Sequence, residues 1–205
     1  MIAGHFGAAA AVKAYSPRVP LWALMLATVW LDVVFVPLFL AGIETMDDAP
    51  GGGYGGSLIH ADWTHSLLGA LALSGLFGLV AARFWERRAG IVLAAMAFSH
   101  WLLDLLVHRP DLPLLPGNLG GLPLLGLGLW KIPAAAVTLE FLLVFGGGLL
   151  YLSAARAVVE LAEHDDAIAV AQGGTATRRA ARPLTLTALL IGFGVITLIL
   201  DVFGV

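Results

Sequence analysis

Five long apolar runs constrain the fold of this 205-residue chain more than any other feature of its sequence. The hydrocarbon core of a bilayer is about 30 Å thick, and a helix needs about 20 residues to cross it. The sequence therefore predicts an all-α integral membrane protein with five transmembrane helices. The predicted spans are residues 21–42, 63–82, 89–107, 132–155 and 184–205.

The overall composition supports the same class of protein. Only 12% of the residues are charged and the mean hydropathy is +0.92, whereas about a quarter of the residues of a soluble domain are charged. We expect one membrane domain over residues 1–205, with the lipid bilayer as its partner. The net charge of −3 comes with no basic tail, so nucleic acid is not an expected partner. The chain has no cysteine, so a metal ion would be held by nitrogen and oxygen ligands.

Residues 1–15, before the first predicted span, form a separate short segment. Residues 1–15 are apolar but too short to span, which favours a re-entrant or interfacial half-helix. They carry no charge before Lys13, so we do not expect a secretory signal there.

Loop 43–62 lacks lysine and arginine, whereas loop 83–88 has three arginines and segment 156–183 has four. Because positive loops stay inside, we expect a cytoplasmic N-terminus, a cytoplasmic segment 156–183 and a C-terminus outside.

Ionisable side chains inside the predicted spans point to a function. A carboxylate at the centre of a span costs about 2.5–3.5 kcal/mol, and such groups usually face partners within the bundle. At 1.5 Å per residue, Asp32 lies about 15 Å up its helix, His100 about 16 Å and Asp104 about 22 Å. Glu140 lies about 14 Å below the outer face, and His5 reaches a similar depth if 1–15 is a half-helix. These depths predict one shared layer of polar groups.

The spacing of His100 and Asp104 places both side chains on one helix face. Their nitrogen and oxygen atoms can converge on one ion, or the carboxylate can orient the imidazole. His65 stands at the start of the second predicted span, near the outer surface. A site that includes His65 must therefore open outward, unless the second helix begins deeper than residue 63. Arg109, just after the third span, is a candidate for holding an anion at the mouth of the site.

Several short motifs resemble one bacterial family. This family comprises inner-membrane metal-dependent hydrolases that are described as LexA-binding. The resemblance covers about residues 1–116 and depends on motifs that read T-H-S-L-L (64–68), S-H-W-L-L-D-L-L (99–106) and L-P-L-L-P (112–116), with Gly4-His5 and His60.

The resemblance implies a metal site and a hydrolytic activity in the bacterial inner membrane. The implied ligands are His5, His65, His100 and Asp104, with Asp32 at the position of a family aspartate. Such a set suits a divalent transition metal, namely zinc, manganese or iron. A free carboxylate, Asp32 or Glu140, would act as the base, and Arg109 would hold a phosphate. The substrate would be a lipid or an anionic, phosphate-containing molecule.

Two other functions remain open at this stage. The family usually has an aspartate-x-aspartate-histidine cluster after its first span, but this chain has only Asp32 in the matching stretch 31–35. That difference favours a non-catalytic subunit that packs against other membrane subunits. Carboxylates and histidines at mid-depth also serve as proton or ion relays, although the sequence shows no repeat of the kind common in transporters.

Overall fold

The computed structural model describes residues 2–48, 56–171, 187–189 and 191–197. It confirms a mostly helical chain. Three helices are long and apolar enough to cross a membrane, and a bent pair makes a fourth candidate if it is counted as one span. The helices are α1 (Ile2–Tyr15), α2 (Leu21–Thr28), α3 (Trp30–Leu40), α4 (Leu67–Phe84), α5 (Arg87–Val107) and α6 (Pro133–Ala171).

The predicted span 21–42 is interrupted near its middle. Helix α2 ends at Thr28, α3 begins at Trp30, and the two axes differ by 49°. Val29 between them has φ −113° and ψ 14°, outside the helical region. Apolar periodicity does not reveal this break, because the residues on both sides are equally hydrophobic.

The second predicted span starts later than residue 63. Helix α4 begins at Leu67, and the side chain of Ser66 accepts a hydrogen bond from the backbone N–H of Gly69 at 3.1 Å. A serine in this position is a favourable helix N-cap. His65 therefore lies in a buried turn before the helix. The later start of α4 thus allows His65 to belong to the same site as His100 and Asp104.

The third and fourth predicted spans form helices close to their expected positions. Helix α5 starts two residues before the predicted 89–107 and ends at the same residue. Helix α6 has 39 residues, so it is about 58 Å long and joins the predicted 132–155 span to the start of segment 156–183. Of the fifth predicted span, residues 187–189 and 191–197 are helical. The rest of 184–205 lies outside the described residues, so five spans remain a prediction.

Helix α1 forms over the predicted half-helix and packs closely on α6. At 14 residues it is about 21 Å long. A Cβ atom on Gly7 would collide with the backbone of Leu143, and one on Gly147 would collide with the backbone of Gly7. Small residues thus let the two helix backbones touch, as is common in helix pairs in membranes.

Two connecting segments cover one end of the bundle. Strands β1 (Thr45–Asp48) and β2 (Ser57–His60) form an antiparallel hairpin that the sequence analysis did not predict. The glycine-rich residues 49–55 between them lie outside the described residues. Segment 108–131 forms two short 3-10 turns and is otherwise irregular, which fits its proline and glycine content. Its carbonyls at Pro113 and Leu114 accept hydrogen bonds from the first backbone N–H groups of α4, at 2.9 and 3.2 Å.

Candidate metal centre

Six ionisable side chains from different parts of the chain converge beneath the hairpin and segment 108–131. The side chain of Asp32 is 38% exposed, whereas each of the others is at most 6% exposed. The six are His5 on α1, Asp32 on α3, His65 before α4, His100 and Asp104 on α5, and His108 at the end of α5. The structure thus brings together all four predicted ligands and Asp32.

Three of the ligand atoms form a nearly equilateral triangle. Nε2 of His65 and Nε2 of His100 are 3.3 Å apart, and each lies 3.5 Å from Oδ1 of Asp32. Ligands about 2.1 Å from a tetrahedral ion are about 3.4 Å from one another. The triangle therefore has the size of one face of a tetrahedral transition-metal site.

Asp104 connects this triangle to the remaining histidines. Its Oδ2 lies 3.0 Å from Nε2 of His100, 3.7 Å from Nε2 of His65 and 3.8 Å from Nε2 of His108. Its Oδ1 lies 3.3 Å from Nε2 of His5. Two overlapping groups, His5–His100–Asp104 and Asp32–His65–His100, each have their ligand atoms within 4.8 Å of one another.

Nδ1 is the ring nitrogen that points away from the cluster in His100 and His108. In each ring it lies next to a group that accepts a hydrogen bond. Nδ1 of His100 lies 2.7 Å from the carbonyl oxygen of Thr28, next to the break between α2 and α3. Nδ1 of His108 lies 3.0 Å from Oδ1 of Asp111. Nδ1 therefore carries a proton in both rings, which leaves a lone pair on Nε2 when the ring is neutral.

A buried chain of hydrogen bonds fixes His65 in the same way. The hydroxyl of Thr64 lies 3.1 and 3.0 Å from the two carboxylate oxygens of Glu44, so its single proton points to that side chain. The backbone N–H groups of Trp63 and Thr64 also donate to Glu44, at 2.9 and 2.8 Å. The Thr64 oxygen then accepts from Nδ1 of His65 at 2.8 Å. Nε2 of His65 is again left with a lone pair.

The centre of the cluster therefore contains acceptors and almost no donors. Three Nε2 lone pairs face two carboxylates, and none of these atoms has a proton to share while the histidines are neutral. The 3.3 Å separation of His65 from His100 would be a hydrogen bond only if one ring carried a second proton. Such a buried arrangement requires positive charge, either as protons or as a bound cation. The donor set and its spacing fit a divalent transition metal.

His5 differs from the other three histidines. Its ring stacks on the ring of His100, with centroids 4.0 Å apart. Its Nδ1 is buried and has no hydrogen-bond partner within the described part of the chain. No outer group therefore selects its tautomer, so Nε2 can bind an ion or can donate a proton to Asp104.

The other two predicted site residues lie beside the cluster. Oε1 of Glu140 accepts a hydrogen bond from the backbone N–H of Gly4 at 3.1 Å, which places this buried carboxylate at the start of α1, next to His5. Among the described residues, Glu140 belongs to neither of the two ligand groups. Arg109 is partly buried and directly follows His108.

Some residues of the centre were missed by the sequence analysis. His108 was detectable, because it extends the series His100 and Asp104 by four further residues along the same helix. Glu44 gave no such signal, since an acidic residue in a connecting segment is usually solvated. The contact between Thr28 and His100 depends on the helix break, which the sequence did not predict.

Comparison with known proteins gives no independent indication of what this site does. No protein-family model, curated protein or solved structure matches the chain at a significant level.

Proposed function

We propose that this protein is a metal-dependent hydrolase embedded in the bacterial inner membrane, as the resemblance to the LexA-binding family implies. The observation that carries this proposal is the set of buried Nε2 lone pairs that face two carboxylates. A packed core that needed only hydrogen bonds would pair donors with acceptors. Here the outer hydrogen bonds turn the acceptor sides of His65, His100 and His108 toward the two carboxylates, which favours a cation.

The positions of the charged residues support a membrane location. Helices α4, α5 and α6 are long and apolar enough to span, and Arg83, Arg87 and Arg88 are exposed at the end of the bundle where α4 meets α5. The positive-inside rule predicts that this end faces the cytoplasm. The cluster lies toward the opposite end of α5, so we propose that it occupies the outer half of the bilayer.

The residues of the cluster divide into plausible chemical roles. A divalent transition metal would supply Lewis-acid activation of a water molecule. His65, His100 and Asp104 would hold the metal, and Nε2 of His108 lies 3.8 Å from Oδ2 of Asp104. Asp32 completes the triangle of ligand atoms and is the most exposed group, so it borders the path by which water and substrate enter. We propose Glu140 as a base near His5 and Arg109 as the group that holds an anionic phosphate.

Elemental analysis of detergent-purified protein tests the proposal. We expect bound zinc, manganese or iron in the wild type and its loss in His100→Ala, because that ring belongs to both ligand groups. His60→Ala is the matched control, since His60 pairs with Asp47 on the exposed hairpin. Metal-loaded protein should also hydrolyse an activated phosphate ester such as bis(p-nitrophenyl) phosphate.

Two results would contradict the proposal. One is a folded wild type without metal, combined with a His100→Ala variant that changes only stability. The other is a metal-free protein that co-purifies with other membrane subunits in fixed stoichiometry, which would favour the non-catalytic subunit.

A further inference from the structure

A cavity of about 420 Å³ lies at the start of α5, far from the candidate metal centre. It opens between residues 15–19, where α1 is linked to α2, and residues 86–92. Pockets that hold small ligands usually have volumes of about 300–1,000 Å³. Arg88 in the wall of the cavity stands twelve residues before His100 on α5, which is about 18 Å along the axis. A ligand in this cavity would therefore not contact the metal centre.

The two chain segments that frame this cavity carry an excess of positive charge. Residues 13–18 and 83–88 contain five lysines and arginines and a single acidic residue, Glu86. Arg18 and Arg88 line the cavity itself, and both are exposed. Arg88 also belongs to the first turn of α5, where a helix favours acidic side chains. Helix stability therefore does not explain this arginine, whereas an anion in the cavity would.

Hydrogen bonds hold the link between α1 and α2 in a shape that leaves Arg18 available. The ammonium group of Lys13 donates to the carbonyls of Pro17 and Val19, at 2.7 and 2.8 Å. Arg18 lies 3.7 Å from a carboxylate oxygen of Glu86, but the two side chains are 87% and 54% exposed. An exposed ion pair of this kind contributes little stability. Arg18 can therefore turn toward an anion in the cavity at little cost.

Aromatic and apolar side chains indicate that the cavity lies at the level of the lipid headgroups. Tyr15 and Trp22 are 78% and 61% exposed, and the ring of Trp22 packs against that of Trp85, with centroids 5.6 Å apart. Tyrosine and tryptophan are enriched at the membrane–water interface. Ala89 and Val92 add an apolar part to the wall of the cavity. Basic and apolar groups thus stand side by side, as a charged headgroup attached to acyl chains requires.

We propose that this cavity binds the headgroup of one anionic phospholipid from the cytoplasmic leaflet. Basic pockets between membrane helices on the cytoplasmic side are typical sites for anionic headgroups. Arg18 and Arg88 would hold the phosphodiester oxygens, and the acyl chains would pass Val92 into the bilayer. The lipid would be a structural ligand that ties the α1–α2 link to α5, and not a substrate. This inference depends on the proposed membrane location, but on neither metal binding nor hydrolysis.

Native mass spectrometry of detergent-purified protein tests the site with phosphatidylglycerol and phosphatidylcholine that carry the same acyl chains. Two arginines at the membrane surface predict that the wild type retains one phosphatidylglycerol with a preference of about thirtyfold. Arg88→Gln should lower this preference about fivefold. Arg87→Gln is the matched control, because it removes the same charge from the neighbouring residue, which does not line the cavity. The control should keep the preference of the wild type.

A second pair of variants changes the shape of the cavity and keeps every charge. Val92→Phe fills part of the cavity and should lower the retention of phosphatidylglycerol several-fold. Ile91→Phe, at a neighbouring position that is 61% exposed and does not line the cavity, should not. Melting curves confirm that each variant folds and give a further readout. Phosphatidylglycerol should raise the melting temperature of the wild type and of Ile91→Phe, but not that of Val92→Phe, because a ligand stabilises only the state that binds it.

Three results would overturn the inference. Equal retention of the two lipids by the wild type would mean that the cavity does not select an anion. Equal losses in Arg87→Gln and Arg88→Gln would mean that these arginines act only through the total charge of the loop. Displacement of phosphatidylglycerol by millimolar inorganic phosphate would identify free phosphate, and not a lipid, as the ligand.

Metal analysis of the same samples separates this inference from the proposed function. A metal-free protein that still prefers phosphatidylglycerol would support the lipid site and contradict the hydrolase. A protein that contains metal but shows no preference between the two lipids would overturn the lipid site and leave the hydrolase intact.

Discussion

Thr64→Val is the sharpest single test of how the candidate metal centre is held. The hydroxyl of Thr64 links the carboxylate of Glu44 to Nδ1 of His65. Valine has nearly the same shape but removes this link. The backbone N–H groups of Trp63 and Thr64 still donate to Glu44 in the variant, so the turn keeps two of its anchors. His65 is then free to place its proton on Nε2, which cannot bind a metal in that form.

The size of the effect follows from the bonds that are lost. A neutral hydrogen bond contributes about 0.5–1.5 kcal/mol and one to a charged group about 1.5–3 kcal/mol. The free energy of unfolding should therefore fall by about 2–4.5 kcal/mol. Loss of an outer partner of a ligating histidine lowers metal affinity about 10–100-fold, which corresponds to about 1.4–2.7 kcal/mol.

Competition with a chromogenic chelator measures this affinity on detergent-purified protein. Thr64→Ser keeps the hydroxyl and should bind metal within about threefold of the wild type, because the outer hydrogen bond is restored. Thr138→Val is a matched control, since the hydroxyl of Thr138 is exposed and donates to the carbonyl of Ala134 within its own helix. If Thr64→Val binds metal as tightly as the wild type, the chain from Glu44 to His65 does not orient a ligand.

Three further outcomes follow from the packing and the site. Gly147→Ala should lower the melting temperature markedly, because its Cβ would meet the backbone of Gly7. Gly146→Ala should not, because its Cβ would meet no described atom within 4 Å. Equal melting curves for the two variants would contradict the α1–α6 contact. Ser66→Ala should cost about 1 kcal/mol in chemical unfolding, because the N–H of Gly69 loses its acceptor, and an unchanged midpoint would argue against this cap. Removal of metal by a chelator should lower the melting temperature, and adding zinc should restore it, because an ion that binds only the folded state stabilises that state.

The helices were predictable because each depends on local composition. Long apolar runs specified α4, α5 and the first half of α6 to within a few residues. The depth estimate also predicted that Asp32, His100 and Asp104 would lie in one layer, since the cost of a lone charge in hydrocarbon does not depend on topology.

The parts that escaped prediction depend on contacts between distant segments. The break at Val29 lies within an unbroken apolar run, so no residue type marks it. The roles of Glu44 and Asp111 depend on how the hairpin and segment 108–131 fold over the cluster. Spacing along the chain carries no information about such contacts, except for His108, which continues the spacing of α5.

The distribution of the ligands over separate helices has a consequence for biogenesis. If the helices span a bilayer as proposed, the partners of His5 on α1 and of Asp32 on α3 lie on α5, and a central charge that enters before its partner costs about 2.5–3.5 kcal/mol. That cost is relieved only when α1, α3 and α5 have met and a counter-charge has arrived. Under the proposed function, the complete ligand set would therefore exist only after these helices have packed together, and binding of the ion would follow that step.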